Sequence, residues 1–139
     1  MQSGKNVDTS QLHIINNQFE HQRIGALRLG GEGKWHDYRI IGNYINGQAS
    51  DDFSSSGRNA YGLSVQNLQM GIILGNTFRG VGVGIILEKG YGSLIGVNRF
   101  IDCNTPIKVL QTGGVVVGDL NQSTACANNV QDLRSFPSQ

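Results

Sequence analysis

The chain has 139 residues, with 11 Lys and Arg against 10 Asp and Glu, and a formal net charge of +1. Only 15% of the residues are charged, which excludes the clustered basic surface that a nucleic-acid backbone requires. No apolar run approaches the ~18–20 residues of a membrane span, so we expect one domain, no nucleic-acid partner and no membrane insertion.

Five similar phrases follow one another along the chain, each an apolar strand running into a polar turn. They are "HIINNQFE" (13–20), "RIIGNYIN" (39–46), "IILGNTFR" (72–79), "LIGVNRFI" (94–101) and "VVVGDLNQ" (115–122). Aligned on the residue at the turn, they place in one column Asn17, Asn43, Asn76, Asn98 and Asp119. The β-branched residues three positions earlier are Ile14, Ile40, Ile73, Ile95 and Val116. Two positions after the turn stand Phe19, Ile45, Phe78 and Phe100, and the fifth phrase breaks this column with Asn121.

A second strand is predicted between successive phrases. Its copies are "ALRL" (26–29), "GLSV" (62–65), "GIIL" (84–87) and "PIKV" (106–109). Alternation along a strand turns two apolar columns inward. The residues between those columns point outward, and they are Arg28, Ser64, Ile86 and Lys108.

Two short strands and two turns per roughly 22 residues predict a solenoid in which each coil stacks on the one before it. Like residues then lie above like residues at the ~4.8 Å strand spacing, and the Asn column forms a ladder of amide hydrogen bonds. The sequence therefore predicts an all-β parallel β-helix of about five coils. The alternative is a hairpin protein in which Asn-Gly turns recur by chance.

Three segments depart from the repeat. Residues 46–60 are rich in Ser, Asp, Gly and Asn and are predicted as a loop inserted into one coil, and residues 30–38 form a smaller excursion. We expect the β-helix to cover residues 1–120 and residues 121–139 to form a tail or cap over an open strand edge. The N-terminus shows no such cap, which favours a piece of a longer protein.

The two cysteines, Cys103 and Cys126, form no metal-ligand pattern with the three histidines. They are interpreted either as one buried thiol and one thiol in the tail, or as a disulfide. The sequence predicts no metal and no cofactor.

The I-x-G-N-x-[FI] phrases and the 22-residue steps, over about residues 12–120, make the chain resemble the right-handed parallel β-helix (pectin-lyase-like) family. That family includes pectate lyases, polygalacturonases, alginate epimerases and bacteriophage tailspikes. The resemblance implies a long grooved flank that suits a linear sugar chain, although a fold by itself assigns no activity.

Consecutive apolar residues in the phrases favour the tailspike branch of this family. Ile15, Ile41, Leu74 and Val117 follow the inward column and should therefore point outward. An outward aliphatic column needs a cover, which a homotrimer of helices supplies, as tailspikes are homotrimers. A monomer covered by its own loops or tail is the alternative.

Candidate catalytic residues are acidic and few: Asp51, Asp52, Asp37 and Glu88. Glycosidases use a pair of carboxylates, whereas lyases and epimerases use a base and a group that neutralises the uronate carboxylate. Asp51 and Asp52 are adjacent, so their side chains point apart in an extended chain. The alternative for all four is a solvated loop or strand face.

Candidate substrate-binding residues fall in two groups. Trp35 and Tyr38 are aromatic residues in the 30–38 excursion that could stack on sugar rings, with a lid over the flank as the alternative for Trp35. Arg28, Ser64 and Lys108 share an outward strand face with Glu88, where they could grip an acidic sugar.

Together these features predict binding, and in one version depolymerisation, of a cell-surface polysaccharide by part of a phage tailspike or tail fibre in the virion. A secreted polysaccharide lyase or epimerase and a non-catalytic structural spike segment are the alternatives. The sequence leaves open whether the protein is an enzyme.

Overall fold

The structure is a computed structural model that describes residues 8–20, 25–30, 34–47, 61–89, 92–110, 116–118 and 120–133. Within these ranges the chain is all-β, without helices, and its parallel strands stack as a β-helix of about four coils. The predicted fold class is confirmed. The coil number is one lower than predicted, because each main sheet has five strands and four coils separate the first strand from the fifth.

Three parallel sheets of five strands form the sides of the coil. Sheet 1 contains β2 (His13–Ile15), β6 (Arg39–Ile41), β10 (Ile72–Leu74), β13 (Leu94–Gly96) and β16 (Val116–Val117). Sheet 2 contains β3 (Gln18–Glu20), β7 (Tyr44–Asn46), β11 (Thr77–Arg79), β14 (Arg99–Ile101) and β17 (Gln122–Thr124). Sheet 3 contains β4 (Gly25–Leu29), β8 (Tyr61–Gln66), β12 (Val83–Glu88), β15 (Thr105–Leu110) and β18 (Gln131–Asp132).

A fourth, smaller sheet lies where the chain passes from sheet 3 to sheet 1. This corner sheet contains β1 (Asp8–Ser10), β5 (Lys34–His36) and β9 (Leu68–Gln69). Each repeated phrase therefore contains two strands, one in sheet 1 and one in sheet 2, where the sequence predicts one. The Asn at its turn is the corner between them.

Single residues with positive φ turn the corners, which is why the strands stay short. Between sheets 1 and 2 these residues are Asn16 (φ 56), Gly42 (φ 66), Gly75 (φ 65) and Val97 (φ 54). Between sheets 2 and 3 they are Gly80 (φ 65), Asp102 (φ 52) and Ala125 (φ 55). The left-handed region favours Gly and Asn, so the small residues that precede the Asn column have a conformational cause.

The predicted Asn ladder is present and runs through the buried corner between sheets 1 and 2. Asn43 Nδ2 donates to Asn76 Oδ1 at 2.9 Å, and Asn76 Nδ2 donates to Asn98 Oδ1 at 3.0 Å. The backbone N–H of each rung also donates to the Oδ1 of the next, at 2.9 Å for Asn43 to Asn76. Asn17 begins the ladder by donating to Asn43 Oδ1 at 3.1 Å.

The fifth rung is Asn121, which accepts from Asn98 Nδ2 at 3.1 Å. The prediction of Asp119 at this rung is wrong, and Asp119 itself lies outside the described residues. Sheet 1 pairs Ile95 with Val117 and sheet 2 pairs Arg99 with Gln122, so the fifth coil has one extra residue between these strands. The sequence alignment also sets sheet 1 one residue too early, since it matches Ile95 with Val116, so the rung lies two residues beyond the predicted position.

The same register corrects the predicted outward column of sheet 1. Ile15, Ile41 and Leu74 pair in one outward column, as predicted. Val117 does not belong to it, because it pairs with the inward Ile95 and packs against the core.

Aliphatic and aromatic columns fill the interior. Phe78 and Phe100 stack with ring centroids 5.2 Å apart and an interplanar angle of 8°. The two inward columns of sheet 3 also match the prediction, with Ile85 between Leu63 and Ile107, and Leu87 between Val65 and Val109. All six of these side chains are buried.

The lengths of the connections between sheet 2 and sheet 3 locate the inserted loop. Residues 80–82 join β11 to β12, whereas residues 47–60 join β7 to β8 at the same corner. The 11 additional residues equal the excess of the 33-residue step over the 22-residue step. Residues 48–60 lie outside the described part of the chain. In the predicted tail, β17 and β18 add a fifth strand to sheets 2 and 3, and a capping role for this segment stays a prediction.

Candidate functional site

A groove of about 400 Å³ opens where the corner sheet meets sheet 1. Its walls come from three successive coils, and the residues that line it are Gln11, His13, Asp37, Tyr38, Arg39, Met70 and Ile72. These residues are far apart in sequence and meet because the coils stack in register.

Two parallel columns make the walls of this groove. His13, Arg39 and Ile72 are paired residues on β2, β6 and β10, and all three point outward. Two positions earlier in each coil stand Gln11 (φ 61), Asp37 (φ 54) and Met70 (φ 54), the positive-φ residues of the corner. Neighbouring rungs lie ~4.8 Å apart, so the groove runs parallel to the axis of the solenoid.

The groove combines charged and apolar surface. His13, Asp37 and Arg39 are exposed and offer a ring nitrogen, a carboxylate and a guanidinium within adjacent rungs. Met70 is 60% exposed beside the partly buried Ile72. Such a surface can hydrogen-bond hydroxyl or carboxylate groups on one side of a ligand and contact an apolar ring face on the other.

Tyr38 lies beneath this groove and is not part of its accessible surface. Its side chain is 0% exposed, and its hydroxyl donates to Ser93 Oγ at 2.8 Å. Burial raises the pKa of Tyr38 to about 12, because the interior disfavours the phenolate, and the hydrogen bond to Ser93 opposes that shift. The ring of Tyr38 therefore faces the core and offers no surface to a ligand in the groove.

Gly71 makes room for that buried ring. Tyr38, Gly71 and Ser93 occupy the same position in three successive coils, since each precedes one of the paired residues Arg39, Ile72 and Leu94. A Cβ on Gly71 would overlap the ring of Tyr38. The absence of a side chain at Gly71 lets Tyr38 reach past the middle coil to Ser93.

Trp35 lies on β5, two residues before Asp37, with its backbone paired to Thr9 and Leu68. Its side chain lies outside the described part of the structure. The strand that carries it borders the groove, so the predicted aromatic contribution of Trp35 to sugar binding stays a prediction.

The second predicted surface lies on the outer face of sheet 3. Arg28 pairs with Ser64, and Ile86 separates Ser64 from Lys108, so these residues form one outward column as predicted. Glu88 pairs with Gln66 in the neighbouring outward column. Arg28 and Glu88 are two rungs apart, roughly 10 Å along the coil axis at the strand spacing, and they also lie in different columns. The groove and this surface are on different sheets.

Two of the four predicted catalytic carboxylates, Asp37 and Glu88, lie among the described residues, and they are not brought together. Asp37 lies at the corner before sheet 1, and Glu88 lies at the end of β12 in sheet 3, so the two do not share a column. Asp51 and Asp52 lie outside the described residues. In the part of the chain that the structure describes, no group of three or more His, Cys, Asp or Glu side chains could hold a metal ion.

Sequence reasoning did not select His13, Arg39, Gln11 or Met70 for this site. His13 and Arg39 stand at the first position of their phrases, in the column that also holds Ile72, and that shared position was the available signal. The corner residues keep a fixed position two residues before that column, but Gln11, Asp37 and Met70 differ in chemistry, so no repeated residue type marks the corner.

An apolar patch lies beside the groove, on the outer face of sheet 1. Leu94 is 40% exposed and Ile15 43% exposed, while Ile41, Ile72 and Leu74 are partly buried. Leu74 leans over the buried Gly96 of the next coil, where a Cβ would lie 3.2 Å from Leu74 Cδ2. The patch is thus continuous over neighbouring coils.

Cys103 and Cys126 are both free thiols, which matches the first of the two interpretations from sequence. Burial raises the pKa of Cys103 to about 12. Among the described residues, no helix has the length and apolar character needed to cross a membrane.

Comparison with known proteins assigns no function to this chain, so the geometry of the groove and of the strand faces is the basis for a proposal. No family model matches the chain, and neither a curated protein nor a solved structure matches it. What is established is the fold: the chain is a parallel β-helix with a groove along one flank.

Proposed function

We propose that this protein binds a cell-surface polysaccharide along its solenoid flank, as part of a phage tailspike or tail fibre of the pectin-lyase-like type. The observation that carries the proposal is the groove between the corner sheet and sheet 1, which follows the coil axis over three rungs. A linear polymer needs a site that is extended and open at its sides, and a stack of equivalent coils supplies one.

The chemistry of the groove supports a sugar ligand. Asp37 accepts hydrogen bonds from hydroxyl groups, and Arg39 and His13 donate to hydroxyl or carboxylate oxygens. Met70 and Ile72 supply the apolar surface on which the C–H face of a pyranose packs. The predicted contribution of Trp35 belongs to the same proposal, because its strand β5 leads directly into Asp37.

Binding to a panel of acidic and neutral surface polysaccharides tests this proposal. Arg39→Ala should raise the dissociation constant at least about tenfold, because one charge-assisted hydrogen bond contributes ~1.5–3 kcal/mol. Arg79→Ala is the matched control, since Arg79 is an exposed arginine on sheet 2. Equal affinity of both variants for every polysaccharide, or no binding by the parent chain, would refute the groove as the site.

The outer face of sheet 3 is the second region proposed to contact the sugar, through Arg28, Ser64 and Lys108. Lys108→Ala in the same panel separates the two surfaces. A loss of affinity with Lys108→Ala but not with Arg39→Ala would move the site to sheet 3.

Depolymerisation is the catalytic form of the same proposal. Asp37 is the carboxylate within the groove, and Asp51, Asp52 and Glu88 are the other candidate acids or bases. Reducing-end release without a new ultraviolet absorbance indicates a hydrolase, and reducing-end release with the absorbance of an unsaturated product indicates a lyase. Cleavage that survives Asp37→Asn together with the carboxamide substitutions of the other three residues would exclude these carboxylates as the catalytic groups. An absence of cleavage of every polysaccharide by the parent chain would leave a binding or structural protein.

The apolar patch supports homotrimer formation. Apart from Ile72 in the groove, four aliphatic side chains on the outer face of sheet 1 are exposed or partly buried: Ile15, Ile41, Leu74 and Leu94. Covering each stabilises the assembly by up to about 1.5–3 kcal/mol. Three copies packed through this face would hide the patch and leave sheet 2 in solvent.

Mass in solution decides the assembly state. We expect the parent chain to sediment as a trimer and Leu94→Glu to sediment as a monomer, because a buried carboxylate disfavours the interface. Arg99→Glu is the control in the same coil, since Arg99 is exposed on sheet 2. A monomeric parent chain would contradict trimer formation without affecting the sugar-binding proposal.

A further inference from the structure

Cys103 and Cys126 occupy the same position in two successive coils. Ile101 pairs with Thr124 and Lys108 pairs with Gln131, so the offset is 23 residues on both sides of the corner. The same offset connects Cys103 with Cys126. Backbone hydrogen bonds hold the corner in this register, from Asp102 N to Thr124 O at 2.9 Å and from Asn128 N to Asn104 O at 2.8 Å.

The two thiols also have equivalent surroundings. Cys103 Sγ lies 3.6 Å from the carbonyl oxygen of Phe78, and Cys126 Sγ lies 3.7 Å from that of Phe100. Phe78 and Phe100 are themselves paired, so each sulfur has the same orientation one coil apart. The Cys126 thiol is also one of the causes that raise the pKa of Cys103, which indicates direct proximity of the side chains.

Stacked positions of this kind meet the main requirement for a disulfide. Strands in a sheet lie ~4.7–4.9 Å apart, and the Cα atoms of disulfide-bonded cysteines are usually ~4.4–6.8 Å apart. Parallel side chains must rotate toward each other to bring their Cβ atoms into the ~3.5–4.5 Å range, so a bond here is strained and readily reduced.

We propose that Cys103 and Cys126 form a reversible disulfide that fastens the last coil to the coil before it, in response to low-molecular-weight disulfides such as oxidised glutathione. Half-buried Cys126 is the thiol that such an oxidant reaches, and Cys103, which is 2% exposed, is the resolving thiol. The site therefore senses the redox state of its surroundings at the C-terminal end of the described stack.

The reaction proceeds in two exchanges. The Cys126 thiolate attacks one sulfur of the oxidant, forms a mixed disulfide and releases one small thiol. Cys103 gives its proton to water and attacks Cys126 Sγ, which closes the protein disulfide and releases the second small thiol. Two protein thiols and one small disulfide thus yield one protein disulfide and two small thiols. The second exchange is slow, because Cys103 is buried and stays protonated at neutral pH.

Peptide mass analysis of the folded chain, after incubation with oxidised glutathione and acid quenching, tests the proposal. We expect a single linked peptide pair that contains both cysteines, lacks two hydrogens and separates again with dithiothreitol. The oxidised protein should also melt at a higher temperature than the reduced protein, since the bond closes a loop in the unfolded chain.

Two variants assign the roles of the thiols. Cys103→Val retains the core, because Val81 fills the equivalent position one coil earlier, and should accumulate a glutathione adduct on Cys126. Cys126→Ser should take up no glutathione while folded. Two free thiols after prolonged oxidation of the folded parent chain, a stable Cys126 adduct in that chain, or an intermolecular dimer would each overturn the proposal.

Discussion

Val97 adopts a backbone conformation that its side chain disfavours. Its φ is 54°, in the left-handed region, where a β-branched side chain crowds the backbone. The equivalent residues in the three preceding coils are Asn16, Gly42 and Gly75, which tolerate this region. Val97 is 57% exposed, so packing gives little compensation for the strain.

We expect Val97→Asn to stabilise the protein by about 1 kcal/mol, because Asn adopts a positive φ at lower cost than Val. Asn is chosen over Gly because Gly would also increase the conformational entropy of the unfolded chain. Urea denaturation measures the change. The reciprocal variant Gly75→Val should destabilise by about 1–2 kcal/mol through the backbone alone, since a Cβ at Gly75 meets nothing within 4 Å. Equal midpoints for the parent chain and Val97→Asn would contradict the strain at Val97.

Among elements, the Asn ladder is the one whose members depend most on one another. Asn76 accepts from the backbone N–H and Nδ2 of Asn43, and donates to Asn98 Oδ1 and to Ile40 O at 2.8 Å. Asn43, Asn76, Asn98 and Ile40 are all buried. The loss of the Asn76 side chain therefore leaves several buried polar groups without partners.

Asn76→Ala should therefore destabilise by roughly 2–4 kcal/mol, because each buried polar group left unsatisfied costs about 1–3 kcal/mol. Asn17→Ala should cost less than about 1 kcal/mol, since Asn17 is exposed at the first rung and begins the ladder. Thermal denaturation of both variants gives the comparison. A cost for Asn17→Ala that equals or exceeds that of Asn76→Ala would show that the ladder does not act through burial.

The sequence predicts the rungs whose repeated phrase is intact, even though the steps between Asn43, Asn76 and Asn98 are 33 and 22 residues, and it fails where the phrase itself is interrupted. Asn43, Asn76 and Asn98 could be aligned because identical amides must meet for a ladder to form. Asn121 was missed because β16 pairs one residue later than the alignment gives and one further residue lies between β16 and β17, and alignment alone gives no physical reason to insert either. The groove was not predicted, although Asp37 and Met70 each lie six residues before a rung of the ladder, because a carboxylate and a thioether share no chemistry that would mark them as one site.

For the whole molecule, the insertion between β7 and β8 should be separable from the stack. Replacement of residues 47–60 by the three-residue connection 80–82 restores the shorter corner. We expect an unchanged far-ultraviolet circular dichroism spectrum and a free energy of unfolding that is equal or higher by about 1 kcal/mol, because a shorter loop costs less entropy to close.

The same shortened chain tests Asp51 and Asp52. If polysaccharide cleavage is observed and these residues carry it, the shortened chain should bind the polymer with parental affinity and fail to cleave it. Loss of the β-sheet spectrum would instead show that the insertion is part of the fold.

Alkaline conditions should destabilise the whole stack. Burial raises the pKa of Tyr38 from 10.0 to about 12 and that of Cys103 from 9.0 to about 12. Both groups are neutral in the folded and the unfolded chain below pH ~9, so their contribution to the free energy of unfolding is fully present there. As pH rises toward 12, the unfolded chain loses protons first, and stability falls by about 1.4 kcal/mol per unit of pKa difference for each group.

Denaturation curves from pH 8 to 12 measure this effect. The stability difference between the parent chain and Tyr38→Phe should shrink between pH 10 and 12, because ionisation of Tyr38 in the unfolded parent chain removes the advantage of its hydroxyl. A difference that stays constant over this range would contradict the role assigned to Tyr38.

The bond from Tyr38 to Ser93 connects coils that are not neighbours. Solenoids ordinarily behave as linear arrays in which each repeat interacts only with the next, so their ends fray one repeat at a time. A side chain that passes an intervening glycine and fastens a coil two steps away joins three repeats into one cooperative unit. Amide hydrogen exchange in these three coils should therefore proceed with a single opening free energy, while the last coil exchanges faster.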